Sequence, residues 1–152
     1  MNVLGIECTA HTFAAGIIRS TNKSAPEILA DVRDVYVPSK ALSGIHPTEA
    51  AEHHREVKDQ VVQKALEHAH LTLSDVDVLA YSAGPGLPPC LKVGMELVKA
   101  LAERHQTPVF AVNHPVAHIE IGRALTGATD PIVLYVSGGN TQIIGFENGC
   151  YR

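Results

Sequence analysis

Cysteine is too scarce in this chain to hold a fold together. Cys8, Cys90 and Cys150 are odd in number and far apart, so they offer neither a disulfide framework nor a CxxC zinc site, and they suit a reducing cytosol. Long apolar runs are also missing. No segment approaches the roughly 18 to 20 consecutive apolar residues of a membrane span. The start, MNVLGIECTA, has no basic region, and Glu7, Cys8 and Thr9 interrupt its apolar run, which argues against a signal peptide. Positive charge is in short supply as well. A net charge of -4 leaves no chain-wide footprint for nucleic acid, so any contact with RNA needs a local basic surface or a partner.

What is present is a globular composition, 45% hydrophobic and 18% charged over 152 residues, enough for one domain with a core. Segments 2–7 and 12–19 are apolar runs joined by the small polar turn Cys8–His11 and read as a hairpin. Segment 26–37 alternates and reads as a third, antiparallel strand. The loop 38–47 is rich in Pro, Ser and Gly. A helix is predicted from Pro47, with Ala50, Ala51, Val57, Val61, Val62, Ala65, Leu66 and Ala69 on its apolar stripe. The surrounding HPTEAAEHHREVKDQ reads mainly as a solvated helix face.

The pattern then changes to alternating strands and helices. Segment 76–83 reads as a buried parallel strand and 90–105 as a helix. Segment 108–112 is a strand, and 115–126 is a helix ended by Gly127. Segments 132–136 and 141–146 form a last hairpin around SGGN. Three antiparallel strands followed by alternating helices and strands is the order of a ribonuclease-H-like unit, a mixed sheet with helices on both faces. An internal echo between 3–18 and 133–146 suggests that a second such unit opens near the end of the chain. The expected division is 1–131 for the first lobe and 132–152 for the first hairpin of a second.

Four stretches carry candidate chemistry. In NHPVAH, Pro115 suits the first helical position, which makes His114 the cap and puts His118 one turn on. Residues four apart share a helix face, so both imidazoles can reach one ion, and the helix N-terminus disfavours the charged ring. The plainer reading is two unrelated polar residues, one of them capping. No glutamate separates the histidines, so this is not an HExxH peptidase motif.

SGGN followed by Thr141 offers glycine N–H groups and the side chains of Ser137, Asn140 and Thr141 to a phosphate, or is an ordinary turn. The matching loop ECTAHT, with Thr9 and His11, could face it across a cleft. Glu7 ends its strand at the mouth, placed to hold a cation, a water or a substrate amine, or simply exposed there. AGPGLPPCLKVG either binds an anion at a helix N-terminus or is structural punctuation. Tyr81 and Tyr135 read as core aromatics.

Taken together, LGIECTAHT, GIHPTEAAEHH, SAGPGL, KALAERHQTPVFAVNHPVAHIE and LYVSGGNTQII resemble, in order, the universal tRNA threonylcarbamoyladenosine synthase family, and its archaeal and eukaryotic branch in particular. That family comprises the bacterial TsaD proteins and the catalytic subunit of the KEOPS complex. The resemblance implies the actin-like ATPase fold, two ribonuclease-H-like lobes around a nucleotide cleft, in a chain about twice this length. It implies that His114, His118 and Tyr135 bind iron or zinc, with a further aspartate beyond Arg152. It implies that Tyr135, Val136, Ser137, Gly138 and Gly139 contact ATP or the threonylcarbamoyl-adenylate, with Asn140 at the phosphate.

The implied reaction transfers threonylcarbamoyl to the exocyclic amine of the adenosine next to the anticodon, releasing AMP. The implied partners are tRNA, a small dimerisation subunit docked on the helices near 47–70 and 90–105, and an atypical protein kinase subunit. The implied setting is cytoplasmic. Pro88, Pro89 and Cys90 depart from the family's usual Gly-Pro-Ala, which puts anion binding by that loop in doubt. Without the second lobe, residues 1–152 are expected to be inactive by themselves.

Overall fold

The fold grows from a hairpin whose strands alternate small and branched side chains. In the computed structural model, which describes residues 1–21, 25–38, 44–137 and 140–152, β1 (Asn2–Glu7) and β2 (Thr12–Arg19) pair antiparallel from Asn2↔Arg19 to Glu7↔Ala14. Strand β3 (Glu27–Val35) pairs antiparallel on the far side of β2. On the other side of β1, β4 (Val78–Gly84) runs parallel, with Leu4↔Leu79 and Ile6↔Tyr81 in register, and β5 (Val109–Asn113) extends the sheet in parallel beyond it. The resulting order, β3-β2-β1-β4-β5, is the mixed sheet expected of a ribonuclease-H-like unit.

Period-two alternation decides which face is the core. Leu4, Ile6, Phe13, Ala15, Ile17 and Leu79 point to one side and are almost wholly buried. Two helices cover them. Helix α1 (Pro47–Ala69) packs on β2 and β3, and α2 (Pro88–His105) packs on β4 and against α1. The α1 stripe is the expected one, since Ala50, Ala51, Val61, Val62, Ala65, Leu66 and Ala69 are buried. It has one addition. His54, placed by the sequence pattern on a solvated face, is wholly buried against Phe13.

The opposite side of the sheet is covered more thinly. Helix α3 (His114–Thr126) follows β5 without a loop and makes its main sheet contacts with β4 and β5. The chain ends in two ribbons, β6 (Val133–Ser137) with β7 (Asn140–Ile144), and β8 (Phe146–Glu147) with β9 (Cys150–Tyr151). The single strand expected over 141–146 is interrupted at Gly145, whose backbone pairs instead with Arg152. Helix boundaries shift by one or two residues from expectation, with α2 beginning at Pro88. Among the described residues, no helix is long and apolar enough to cross a membrane.

Candidate functional site

The site lies at the carboxyl ends of β1 and β4, where open α/β sheets present their chemistry. Alternation puts Glu7 and Ser82 on the face away from α1 and α2, and the register Ile6↔Tyr81 makes them neighbours. From the adjacent β5, the chain turns straight into α3. The helix cap is Asn113, whose Oδ1 accepts the Val116 N–H at 3.2 Å. This corrects the expectation that His114 is the cap. Pro115 occupies the second helical position, so His114 is the first residue of the helix. Its ring is thereby free to turn back onto the sheet.

It does so onto Glu7. His114 Nδ1 lies 2.9 Å from Glu7 Oε2. Ser82 Oγ donates to the same Oε2, while Glu7 Oε1 accepts from the Thr9 N–H at 2.7 Å and from the Thr9 hydroxyl. Burial alone would raise the Glu7 carboxyl, but the bonds from Ser82 and Thr9 and the nearby His114 outweigh it and hold its pKa below the ordinary carboxylate value. Glu7 is therefore not a bare carboxylate at a strand end. Every one of its oxygens is engaged.

On its other edge, His114 Nε2 lies 3.2 Å from His118 Nε2, with the rings nearly perpendicular. Desolvation, and then the neighbouring His114, lower the His118 pKa and keep its ring neutral. Two imidazole nitrogens at 2.0–2.1 Å from one tetrahedral ion stand about 3.3 Å apart, so the observed spacing fits a shared ion. Tyr135 is the third group at hand, with its ring centroid 6.0 Å from that of His118. It is half-buried in β6 and is no core aromatic. Tyr81, by contrast, packs against the main core as expected. Among the described residues no group of three or more His, Cys, Asp or Glu side chains could hold a metal. Any ion here would rest on two imidazoles and a phenol oxygen, a borderline donor set that suits zinc or iron.

These groups line one cleft of about 380 Å³, together with Val136 and Ser137. A larger cavity of about 650 Å³ opens on the other side of the first turn of α3, between Pro85, Pro115 and Ile143, and holds none of the histidines. The chemistry belongs to the smaller cleft. Gly138, Gly139 and the Asn140 side chain, expected at a phosphate, lie outside the described residues.

The first loop holds two further candidates, Thr9 and His11. The buried Thr9 turns its hydroxyl onto Glu7, and His11 is exposed, its carbonyl accepting the Tyr36 N–H. Beneath the loop, His54 Nε2 donates to the Ala10 carbonyl at 2.8 Å. Above it, Leu87 N–H donates to the Thr9 carbonyl at 2.7 Å, and Gly86 lies so close that a Cβ there would stand 2.6 Å from the Thr9 carbonyl oxygen. Of its two offered roles, the Gly/Pro-rich loop plays the structural one. Pro88 and Pro89 open α2 without N–H groups, which removes two of the donors an anion would use. Ser82, Gly86 and His54 had not been singled out. Ser82 and Gly86 stand out only within the SAGPGL block, whereas His54 falls on the α1 stripe between Ala50 and Val61.

Comparison with known proteins places this geometry. The family described as TsaD, tRNA N6-adenosine threonylcarbamoyltransferase, matches residues 27–152. A tRNA N6-adenosine threonylcarbamoyltransferase of Thermofilum pendens is 47% identical over the whole chain, which spans 44% of that relative. One from Ignicoccus hospitalis is 52% identical over 143 residues, 94% of this chain and 42% of the relative. A probable bifunctional tRNA threonylcarbamoyladenosine biosynthesis protein of Thermoplasma volcanium is 48% identical, and the chain spans 28% of it. The chain thus covers less than half the length of each.

Among solved structures, YeaZ from Pseudomonas aeruginosa superposes with a TM-score of 0.62 at 17% identity, over 99% of this chain and 62% of that one. An Aquifex aeolicus PPX-GPPA enzyme gives 0.56 at 11% identity, over 100% of this chain and 50% of that one. These two share the fold, the actin-like, ribonuclease-H-like mixed α/β architecture. The sequence match gives the assignment: this chain belongs to the TsaD family of tRNA N6-adenosine threonylcarbamoyltransferases.

Proposed function

We propose that this chain supplies the first lobe and half of the reaction cleft of an enzyme that transfers threonylcarbamoyl from its adenylate to the exocyclic amine of the adenosine 3′ of the anticodon in tRNA. The observation that carries the reading is the pair of imidazole nitrogens 3.2 Å apart at the mouth of a cleft shared with Tyr135, in a chain of this family. His114, His118 and Tyr135 would hold one divalent metal, iron in the first instance or zinc, completed by residues beyond Arg152. When bound, such an ion polarises a carbamoyl or phosphate oxygen as a Lewis acid.

The protein's own part is positioning. Tyr135, Val136 and Ser137 border the cleft, and with Gly138, Gly139 and Asn140 they would seat ATP or the threonylcarbamoyl-adenylate. N–H groups of that loop would steady charge that develops as the carbonyl is attacked. In the transfer, the adenosine amine forms a C–N bond to the carbamoyl carbon, the C–O bond to AMP breaks, and the amine gives up a proton.

A cytoplasmic setting and assembly in a KEOPS-type complex accompany this reading. The small dimerisation subunit would dock on the outer faces of α1 and α2, and the atypical kinase subunit and tRNA would join the complete protein. A partner also accounts for how a chain of net charge -4 meets tRNA. The test is elemental analysis and adenylate binding on the full protein against His114→Ala and His118→Ala. Both variants are expected to lose the metal; undiminished metal in both rejects the site.

A further inference from the structure

The four donors gathered on Glu7 do more than satisfy a half-buried carboxylate. A carboxylate accepts from a neutral imidazole only through the ring's N–H. With Glu7 Oε2 at 2.9 Å from His114 Nδ1, a neutral His114 carries its proton on Nδ1 and its lone pair on Nε2. That lone pair faces His118 Nε2 at 3.2 Å. Glu7 cannot swing away to let the ring flip, because Ser82 holds Oε2 from the neighbouring strand while Thr9 grips Oε1 with both its N–H and its hydroxyl. The grip is itself supported, since Gly86 and Leu87 close on the Thr9 carbonyl from the other side.

We infer that Glu7, held by Ser82 and Thr9, is a positioning residue that fixes the tautomer and direction of His114, so that His114 and His118 present converging Nε2 lone pairs. Glu7 then takes no proton from substrate, because its oxygens are already committed. Ser82 is the least obvious member. It touches neither histidine, yet it bonds to the same Glu7 oxygen as His114. The carboxylate–imidazole pair is the arrangement that raises ligand basicity at metal sites, where losing such a partner weakens metal affinity about 10–100-fold. The inference rests on the metal reading above for its affinity consequence and on geometry alone for the tautomer.

Two measurements on the full protein separate those parts. Nitrogen-15 NMR of the histidine rings in metal-free protein reads the tautomer directly. The wild type is expected to show His114 protonated at Nδ1, and Glu7→Ala is expected to lose that preference. Glu7→Gln, which keeps an acceptor oxygen, is expected to restore it in part and guards against a general folding defect. Zn2+ titration against a chromophoric chelator is then expected to show affinity weakened about 10–100-fold in Glu7→Ala, and less, in the same direction, in Ser82→Ala.

An unaltered His114 tautomer in a folded Glu7→Ala protein overturns the inference. So does unchanged Zn2+ affinity in that variant where His114→Ala abolishes binding. If His114→Ala itself retains full Zn2+ affinity, the metal reading fails instead, and the tautomer measurement still decides the role of Glu7.

Discussion

In the five-stranded unit Leu4, Phe13, Ile17 and Val98 are wholly buried, whereas in the β6–β7 ribbon Leu134, Val136 and Ile143 are 65%, 67% and 75% exposed. The register explains the second set. Leu134 pairs with Ile143 and Val136 with Thr141, so these side chains share one face of the ribbon, while Ile144 on the other face is buried. The first region satisfies itself with two helices on one sheet face. The second is a two-stranded ribbon that rests on α3, and two strands are marginal without a further layer. The candidate site straddles this contrast. Its histidines are anchored to the well-packed sheet through Glu7, and Tyr135 comes from the sparsely packed ribbon.

The contrast breaks most readily at Phe13. Truncation to Ala removes a ring packed on His54 in the centre of the core, and is expected to cost about 3–5 kcal/mol in denaturant unfolding. A loss below about 1 kcal/mol would mean that the core is not the dense element described here.

Gly86→Ala comes next. The added Cβ meets backbone atoms of Thr9 rather than a flexible side chain. Overpacking of this kind costs about 1–3 kcal/mol. Because the Thr9 segment holds Glu7, the substitution is also expected to disturb the His114 ring signals in NMR. An unfolding midpoint and ring signals identical to wild type would show that the two loops are not in contact.

His54 gives a pH-dependent version of the same test. Desolvation is the largest influence on it, opposed by its bond to Ala10, and its pKa falls below the ordinary 6.5. A base with a depressed folded pKa binds fewer protons folded than unfolded. Its contribution to stability is therefore complete above about pH 6.5 and declines as pH falls through the folded value. His54→Gln, which keeps a donor for Ala10, is expected to flatten unfolding free energy between pH 7 and 5 relative to wild type. Parallel curves for the two proteins would assign the acid sensitivity elsewhere.

How much of this was legible in the sequence follows from what kind of interaction decides each feature. The β1–β2 hairpin and the α1 stripe are local patterns, and they read correctly. The cap of α3 is locally ambiguous, because Asn113 and His114 are both plausible caps beside Pro115, and the choice depends on whether the proline takes the first or second position. His54 was overlooked because histidine counts as polar, although its spacing on the α1 stripe was informative. Ser82 is legible only as part of the SAGPGL block, without a role. Its role comes from the parallel pairing of β1 with β4, which brings together residues 75 apart in sequence. The histidine pair was visible only as a spacing until the register supplied its carboxylate.

The smallest effect belongs to the ribbon. Leu134 has most of its surface in water, so Leu134→Ser removes little buried area and leaves few contacts unmet. In residues 1–152 its effect on unfolding free energy is expected to stay within about 0.5 kcal/mol, the range of ordinary surface substitutions. Phe13→Ala and Leu134→Ser together turn the comparison into a ratio, several-fold in favour of the sheet core. A Leu134→Ser cost approaching that of Phe13→Ala would show that the outer face of the ribbon is covered in solution, and the two regions would then be packed alike. If the small value holds, Tyr135 enters the cleft on an element with little packing of its own. Its distance from His118 would then be the most variable dimension of the site, a property that exchange broadening of the Tyr135 ring resonances, set against sharp His114 signals, would reveal.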